Sequence, residues 1–149
     1  MTIGMEATEA IINGWVRVKE PDKYAGAKGQ MRSLFYHKQD ENAYFNVFIQ
    51  DKLGFDQREV CSEDLEHIPL SVDVFERNGF IGKEEGHYYS YTISDGKNYV
   101  KVHYQNHLKA CSTPDDRNEF ALFGIIVLET VMDLQLALLL CKVKKSIEL

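Results

Sequence analysis

The sequence predicts a mixed α+β protein. A small antiparallel β-barrel is expected over residues 1–68, followed over residues 69–149 by a short helix, an antiparallel β-sheet and a C-terminal apolar helix. Three observations predict this class: strand-like runs separated by turns in the first half, an Asp-Gly hairpin signal in the second half, and an apolar helical run near the end. With 149 residues, 44% of them hydrophobic, the chain can bury a core without disulfide or metal support.

The first half contains four runs with the composition and alternation of strands. They cover residues 15–18, 31–36, 44–49 and 57–61, and turn signals separate them. Five or so short strands in fewer than 70 residues favour closure into a barrel, because closure removes the exposed edges that a small sheet would otherwise present.

A proline marks the expected boundary between the two halves. Pro69 disfavours the α conformation in the residue before it, and a short helix is predicted immediately afterwards, over residues 71–79. Ser71 is the expected N-cap of this helix, and Asn78-Gly79 supplies its left-handed stop.

The next segment has the strongest hairpin signal of the chain. Alternating strands are predicted over residues 88–93 and 98–104, on either side of a turn that contains Asp95-Gly96. Further strands are predicted over residues 108–112 and 119–128, so that this half contains an antiparallel sheet.

The last helix is predicted to begin at Thr130, which can cap the backbone N–H of Asp133, and to run to residue 141. Every residue from 134 to 140 is apolar except Gln135, which is too many for a helix with a wide solvated face. We expect this helix to be buried on most sides, either across its own sheet or against a second copy of the chain.

Residues 14–31 resemble the KOW motif of SH3-like barrels. Gly14 precedes a Val16-Arg17-Val18 strand, and a loop then leads to Gly26-Ala27-Lys28-Gly29 before an aliphatic residue, Met31. The two glycines permit a tight turn with positive φ. The resemblance implies an SH3-like fold for the first half. It also implies a nucleic-acid-binding turn with four basic candidates: Lys19, Lys23, Lys28 and Arg32.

A second resemblance covers more of the chain. Ile68-Pro69-Leu70-Ser71, then Asn78-Gly79-Phe80, then Tyr88-Tyr89-Ser90-Tyr91 and a final Leu134-Gln135 helix resemble a family of small proteins from phages and mobile elements of gut bacteria. The family usually has His-Glu-Leu-Gln in that helix. This chain has Met132-Asp133-Leu134-Gln135, so no role of that histidine carries over. The resemblance implies an architecture and a mobile-element origin, but no activity.

Charge is segregated along the sequence. The chain has 17 basic and 23 acidic residues, a net charge of −6, which argues against a broadly basic nucleic-acid-binding surface. Residues 17–38 nevertheless carry +4 and residues 40–66 carry −6. A local basic surface is therefore compatible with the acidic total.

No motif for catalysis, metal or cofactor binding is recognisable. The three cysteines, Cys61, Cys111 and Cys141, fit neither a disulfide framework nor paired zinc ligands, so we expect reduced thiols. His103 and His107 have a metal-site spacing only on a helix. On the predicted strand they lie about 13 Å apart. We expect no catalytic residue, no metal and no cofactor, and therefore no enzyme.

Tyrosines crowd the predicted hairpin. Alternation places Tyr89 and Tyr91 on one face of the sheet and Tyr88 on the other. Cross-strand aromatic pairing explains such a cluster without a ligand. Tyrosine is also enriched at the centres of interfaces, so these three residues are candidates for a binding surface.

The hypothesis favoured by the sequence is a non-enzymatic, cytoplasmic interaction module that binds a protein partner, with homo-oligomerisation through the C-terminal helix as one form. Two alternatives stay open: nucleic-acid binding at the 26–29 turn, and binding of a small ligand such as a nucleotide between the two halves. We expect no membrane association, because no signal segment is visible and the apolar region 120–143 is interrupted by Glu129, Asp133 and Gln135.

Overall fold

The computed structural model describes residues 13–19, 26–37, 42–51, 54–106 and 118–149. It divides into two compact units, Met1–Ile68 and Pro69–Leu149. In the described residues, each unit contains one five-stranded antiparallel sheet, and the second unit also contains two α-helices. The mixed α+β class is therefore confirmed. In the described ranges, no helix is both long enough and apolar enough to cross a membrane.

The sheet of the first unit is open. Its strands are β1 (Trp15–Val18), β2 (Lys28–His37), β3 (Asn42–Asp51), β4 (Gly54–Cys61) and β5 (Leu65–His67), with one 3-10 turn at Ser62–Asp64. The strand order is β4-β3-β2-β1-β5, and among the described strands no ladder joins β4 to β5. The closed barrel expected from the sequence is not observed. The short β5 has only three residues, and they form their ladder with β1.

The core of the first unit follows the predicted alternation. Phe45, Val47 and Ile49 of β3 are all buried, as are Val16 and Val18 of β1. The two glycines of the 26–29 turn are required for different structural reasons. Gly26 adopts a φ of +81°, as expected from the sequence. Gly29 does not have a positive φ: it lies in β2, where a Cβ would be only 2.6 Å from Cγ1 of Val47.

The sheet of the second unit is a simple meander. Its strands are β6 (Ile81–Glu84), β7 (Tyr89–Ser94), β8 (Tyr99–Asn106), β9 (Asn118–Leu122) and β10 (Ile126–Leu128), in the order β10-β9-β8-β7-β6. The predicted hairpin at Asp95-Gly96 is confirmed as β7–β8, with Gly96 at a φ of +91°.

One strand of the second unit was not predicted, one strand prediction is wrong, and another is untested. Strand β6 was not predicted, because its four residues are all exposed and show no apolar alternation. The single strand predicted over 119–128 is instead two strands, β9 and β10, joined by a turn at residues 123–125. The strand predicted over 108–112 lies outside the described residues.

Helix α1 (Val72–Arg77) lies between the predicted cap residues. Ser71 occupies the N-cap position with extended backbone angles, but its side chain makes no capping hydrogen bond, contrary to the expectation. Asn78 is the C-cap and Gly79 follows at a φ of +76°, so the left-handed stop is confirmed.

Side chains of the second unit hold the segment that follows the last helix. The buried Asn78 bonds both backbone groups of Glu148: its Nδ2 donates to the carbonyl oxygen at 2.9 Å and its Oδ1 accepts from the N–H at 2.7 Å. Three backbone N–H groups donate to Asp95 and lower the pKa of its carboxyl to about 2. The donors belong to Asn98, Lys144 and Lys97. This segment is therefore fixed without regular secondary structure.

Helix α2 (Val131–Leu140) begins with the predicted capping box. Oγ1 of Thr130 accepts from the backbone N–H of Asp133 at 3.1 Å, and Oδ2 of Asp133 accepts from the backbone N–H of Thr130 at 3.0 Å. Within the single chain, three leucines in the second half of the helix are exposed, so burial across its own sheet is incomplete, and burial against a second copy stays a prediction. Leu136, Leu139 and Leu140 are 38%, 66% and 72% exposed. An apolar run interrupted only by Gln135 covers most sides of the helix, whereas the core contacts only some of them.

Candidate functional site

One face of the second sheet packs against Phe75 of α1 and forms a core. The ring of Phe75 stacks on Tyr91 at a centroid distance of 5.0 Å, and lies 4.9 Å from Phe120 and 5.1 Å from Phe80. Tyr91 is 4% exposed, and burial raises the pKa of its phenol to about 12. Tyr91 is one of the sequence-predicted binding residues, but its environment is that of a core residue.

Tyr89 lies at the rim of this aromatic cluster. Its ring makes an edge-to-face contact with Tyr91 at 5.2 Å and another with Tyr104 at 6.4 Å, while 37% of the residue is exposed. Tyr89 and Tyr91 therefore share a face, as alternation predicts.

The opposite face, here called the outer face, carries a linked polar cluster. Tyr88 stacks on His103 with a centroid distance of 4.0 Å, and Nζ of Lys101 lies 5.7 Å from the centre of the Tyr88 ring. Lys101 forms an ion pair with Glu85 at 3.1 Å, and Oγ of Ser90 donates to the same carboxylate at 3.2 Å. The bond from Lys101 lowers the pKa of Glu85, and Glu85 in turn raises the pKa of Lys101.

A cavity of about 210 Å³ opens on the outer face. Its lining residues are His87, Tyr88, His103, Gln105, Glu119, Ala121 and Gly124. Gly124 has a φ of +75°, and a Cβ there would be 2.6 Å from Nδ1 of His103, so the imidazole packs directly on the glycine. The cavity is large enough to receive a side chain of a partner.

The outer-face cluster does not have the geometry of a nucleophilic site. Ser90 is only 1% exposed, and its hydroxyl is directed at Glu85 rather than at the cavity. Among the described residues, no three His, Cys, Asp or Glu side chains are grouped so that they could hold a metal ion.

Exposed apolar side chains are concentrated at the β9–β10 hairpin. Ile125, Ile126 and Val127 are 83%, 58% and 52% exposed, and Phe123 is 40% exposed. Tyr99 of β8, 56% exposed, makes an edge-to-face contact with Phe123 at 5.9 Å. We call these five residues the hairpin patch, in which the successive residues Ile126 and Val127 point to opposite faces of the sheet. This patch was not predicted from the sequence, although the uncharged run 120–128 with a glycine near its middle was a usable signal.

The turn that carries the hairpin patch has an uncommon backbone. Phe123 and Gly124 both have positive φ, +51° and +75°, and the N–H of Ile125 donates to the carbonyl of Leu122 at 3.0 Å. These are features of a type I′ turn, in which Asn, Asp or Gly usually fills the central positions. A bulky aromatic residue in this conformation costs on the order of 1 kcal/mol or more. The chain therefore keeps Phe123 exposed in spite of a backbone cost.

Replacing Phe123 with asparagine should stabilise the protein. Asparagine tolerates the left-handed conformation, so we expect the free energy of unfolding to rise by about 0.5–1 kcal/mol after the loss of the exposed contact with Tyr99. Phe123→Leu is the matched control, because it loses the ring and keeps the strain, and it should destabilise. Urea denaturation measures both. Equal destabilisation by the two changes would contradict a strained turn.

The basic candidates of the first unit do not form one cluster of unengaged cations. Nζ of Lys19 donates to the backbone carbonyl of Glu63 at 2.9 Å. Nη1 of Arg32 donates to Oδ1 of Asn13 at 2.6 Å. Lys28 is exposed on β2, and Lys23 lies outside the described residues. Two of the four candidates are thus held by contacts within their own unit.

Comparison of this chain with models of protein families, with curated proteins and with solved structures finds no match. The resemblances to the KOW motif and to phage proteins stay predictions. Among the described surfaces of the chain, the hairpin patch is the most distinctive.

Proposed function

We propose that the protein is a non-enzymatic interaction module whose second unit binds another protein through the hairpin patch. The observation that carries this proposal is the concentration of five exposed apolar side chains on and beside one hairpin, with Ile126 and Val127 on opposite faces of it. At their degree of exposure such side chains present on the order of 100 Å² each, roughly 500 Å² together over both faces of the hairpin. Apolar patches of this size on a soluble protein are often functional.

The rigidity of the turn supports binding. Besides the bond across the turn, the N–H of Phe123 donates to the carbonyl of Lys101 at 2.8 Å and that of Gly124 to the carbonyl of Ala121 at 3.1 Å. The aromatic side chain is thus displayed on a fixed backbone, and less conformational entropy is lost when a partner covers it. Aromatic anchors of this kind dominate the energy of many interfaces.

For the first unit, we propose the SH3-like fold that the KOW resemblance implies. The strand order supports it, because the last strand, β5, returns to pair with the first. The nucleic-acid alternative is less favoured than the interaction module, since Lys19 and Arg32 are engaged within the unit. A mobile-element origin belongs to the same proposal, and it is supported by the sequence motifs alone.

Site-specific photo-crosslinking tests the interaction module. A benzophenone amino acid at position 125 should form protein adducts in cells that express the gene, because Ile125 is the most exposed residue of the patch. The matched control is position 81, where Ile81 is 72% exposed on β6, the opposite end of the same sheet. Absence of any adduct at position 125, or equal adducts at both positions, would refute binding through the patch.

A further inference from the structure

We propose that the partner of the hairpin patch is a second copy of this chain, so that two second units form a two-fold symmetric dimer. The inference rests on the proposed function, since it names the partner for the same surface. Two-fold contacts are the commonest form of self-association, and they require a surface that is complementary to itself. Area and charge both indicate that the patch is such a surface.

The exposed apolar area fits one side of a stable dimer. A standard interface buries about 800 Å² on each partner, of which about 57% is apolar, or roughly 450 Å². The hairpin patch exposes roughly 500 Å² of apolar surface. Because Ile126 and Val127 point to opposite faces of the sheet, one contact covers at most four of the five side chains, roughly 400 Å², which is still close to the apolar share of one side of a standard interface.

Charge favours a copy of the chain over a charged partner. The chain carries a net charge of −6, so two copies repel each other unless they meet through a neutral surface. Residues 120–128 contain no charged side chain, and contact of this run with itself brings no like charges together. A partner with charges facing the patch would leave those charges desolvated and without a counter-ion, which is costly.

The two ends of the sheet differ in the way that this proposal requires. Strand β6 carries Lys83 and Glu84, both exposed, and charges of this kind on an edge strand discourage pairing with another molecule. Strand β10, at the other end of the strand order, carries none. Just beyond β10, the carbonyl of Glu129 already accepts a hydrogen bond from the N–H of Leu70 at 3.0 Å. The proposed contact between two copies is therefore confined to the hairpin itself.

Analytical ultracentrifugation of the full chain, from about 1 μM to about 1 mM, tests the dimer. The wild-type protein should reach twice the monomer mass within this range. I125D should raise the dissociation constant by about 100-fold or more, because a two-fold interface contains position 125 of both copies and the apolar contact is lost twice. I81D is the matched control and should dimerise like the wild type. Added salt should leave the dimer intact or strengthen it, since it screens the repulsion between two acidic chains.

The outcomes separate this inference from the function on which it rests. A wild-type protein that stays monomeric up to about 1 mM overturns the dimer. If position 125 still crosslinks to a different protein, the interaction module stands, and if it crosslinks to nothing, both fail. Loss of the dimer in L139D but not in I125D would place the interface on the exposed side of α2 and would also overturn the proposal.

Discussion

Replacing Leu138 with aspartate should unfold the second unit, whereas the same replacement at Leu139 should leave it folded. The two residues are neighbours on α2, but Leu138 is 2% exposed and Leu139 is 66% exposed. Loss of a buried leucine costs about 2–5 kcal/mol, and an unpaired buried charge adds several more. The total is comparable to the 5–15 kcal/mol by which whole proteins are stable.

Soluble yield and circular dichroism measure this difference directly. L138A gives a quantitative reading even if L138D does not express, and we expect it to lower the free energy of unfolding by about 2–5 kcal/mol. L139A should change it by less than about 0.5 kcal/mol, as is usual for exposed positions. A folded L138D protein that lost only its ability to dimerise would show that Leu138 contacts a second copy rather than the core.

Elements with local signals could be predicted from the sequence. The capping box of α2 depends on Thr130 and Asp133, three residues apart, and the β7–β8 turn depends on Asp95-Gly96. In both cases the side chains that stabilise the element lie within it. Such signals do not depend on the rest of the fold, so the sequence alone was sufficient.

The hairpin patch could not be predicted in the same way. Residues 119–128 read as one apolar strand, because the turn begins with Phe123 and not with Asn, Asp or Gly. Only Gly124 marked the break, and a single glycine inside a strand pattern has several explanations. The segment whose sequence pattern disagrees most clearly with the structure is therefore the surface that we propose for binding.

The tyrosines show a second limit of sequence reasoning. Alternation separates Tyr88 from Tyr89 and Tyr91, but it does not tell which face becomes the core. That choice depends on Phe75, which lies 16 residues before Tyr91 and packs on one face only. Tyr91 was therefore predicted as a binding residue, although in the structure it is buried beneath α1.

Replacing Phe75 with alanine should produce the second large loss of stability. Phe75 is fully buried, and its ring contacts those of Phe80, Tyr91 and Phe120. Removing such a ring costs about 3–5 kcal/mol through lost burial and the cavity that remains. Urea denaturation measures the change. F123A is the control, because Phe123 is outside this cluster and 40% exposed, and it should not lose stability of that size.

The pKa of Tyr91 gives an independent test of the cavity that F75A would create beside its ring. Burial holds the pKa of its phenol at about 12, against an ordinary value of 10.0. In the unfolded chain the proton leaves near pH 10, so the stability that Tyr91 contributes is complete below pH 10 and is lost as the pH rises towards 12. A shift of about two pKa units corresponds to a loss of about 2–3 kcal/mol in the free energy of unfolding. The Y91F protein, which has no phenol at this position, should not show this loss.

In F75A, water that enters the cavity should stabilise the phenolate and lower the pKa of Tyr91 from about 12 towards 10.0. Absorbance of phenolate near 295 nm, with Y91F subtracted to assign the signal, measures this pKa in the folded protein. A destabilised F75A protein whose Tyr91 still titrates near pH 12 would mean that neighbouring rings collapse into the space. The cost would then fall towards the lower end of the expected range, because a collapsed cavity retains more of its contacts.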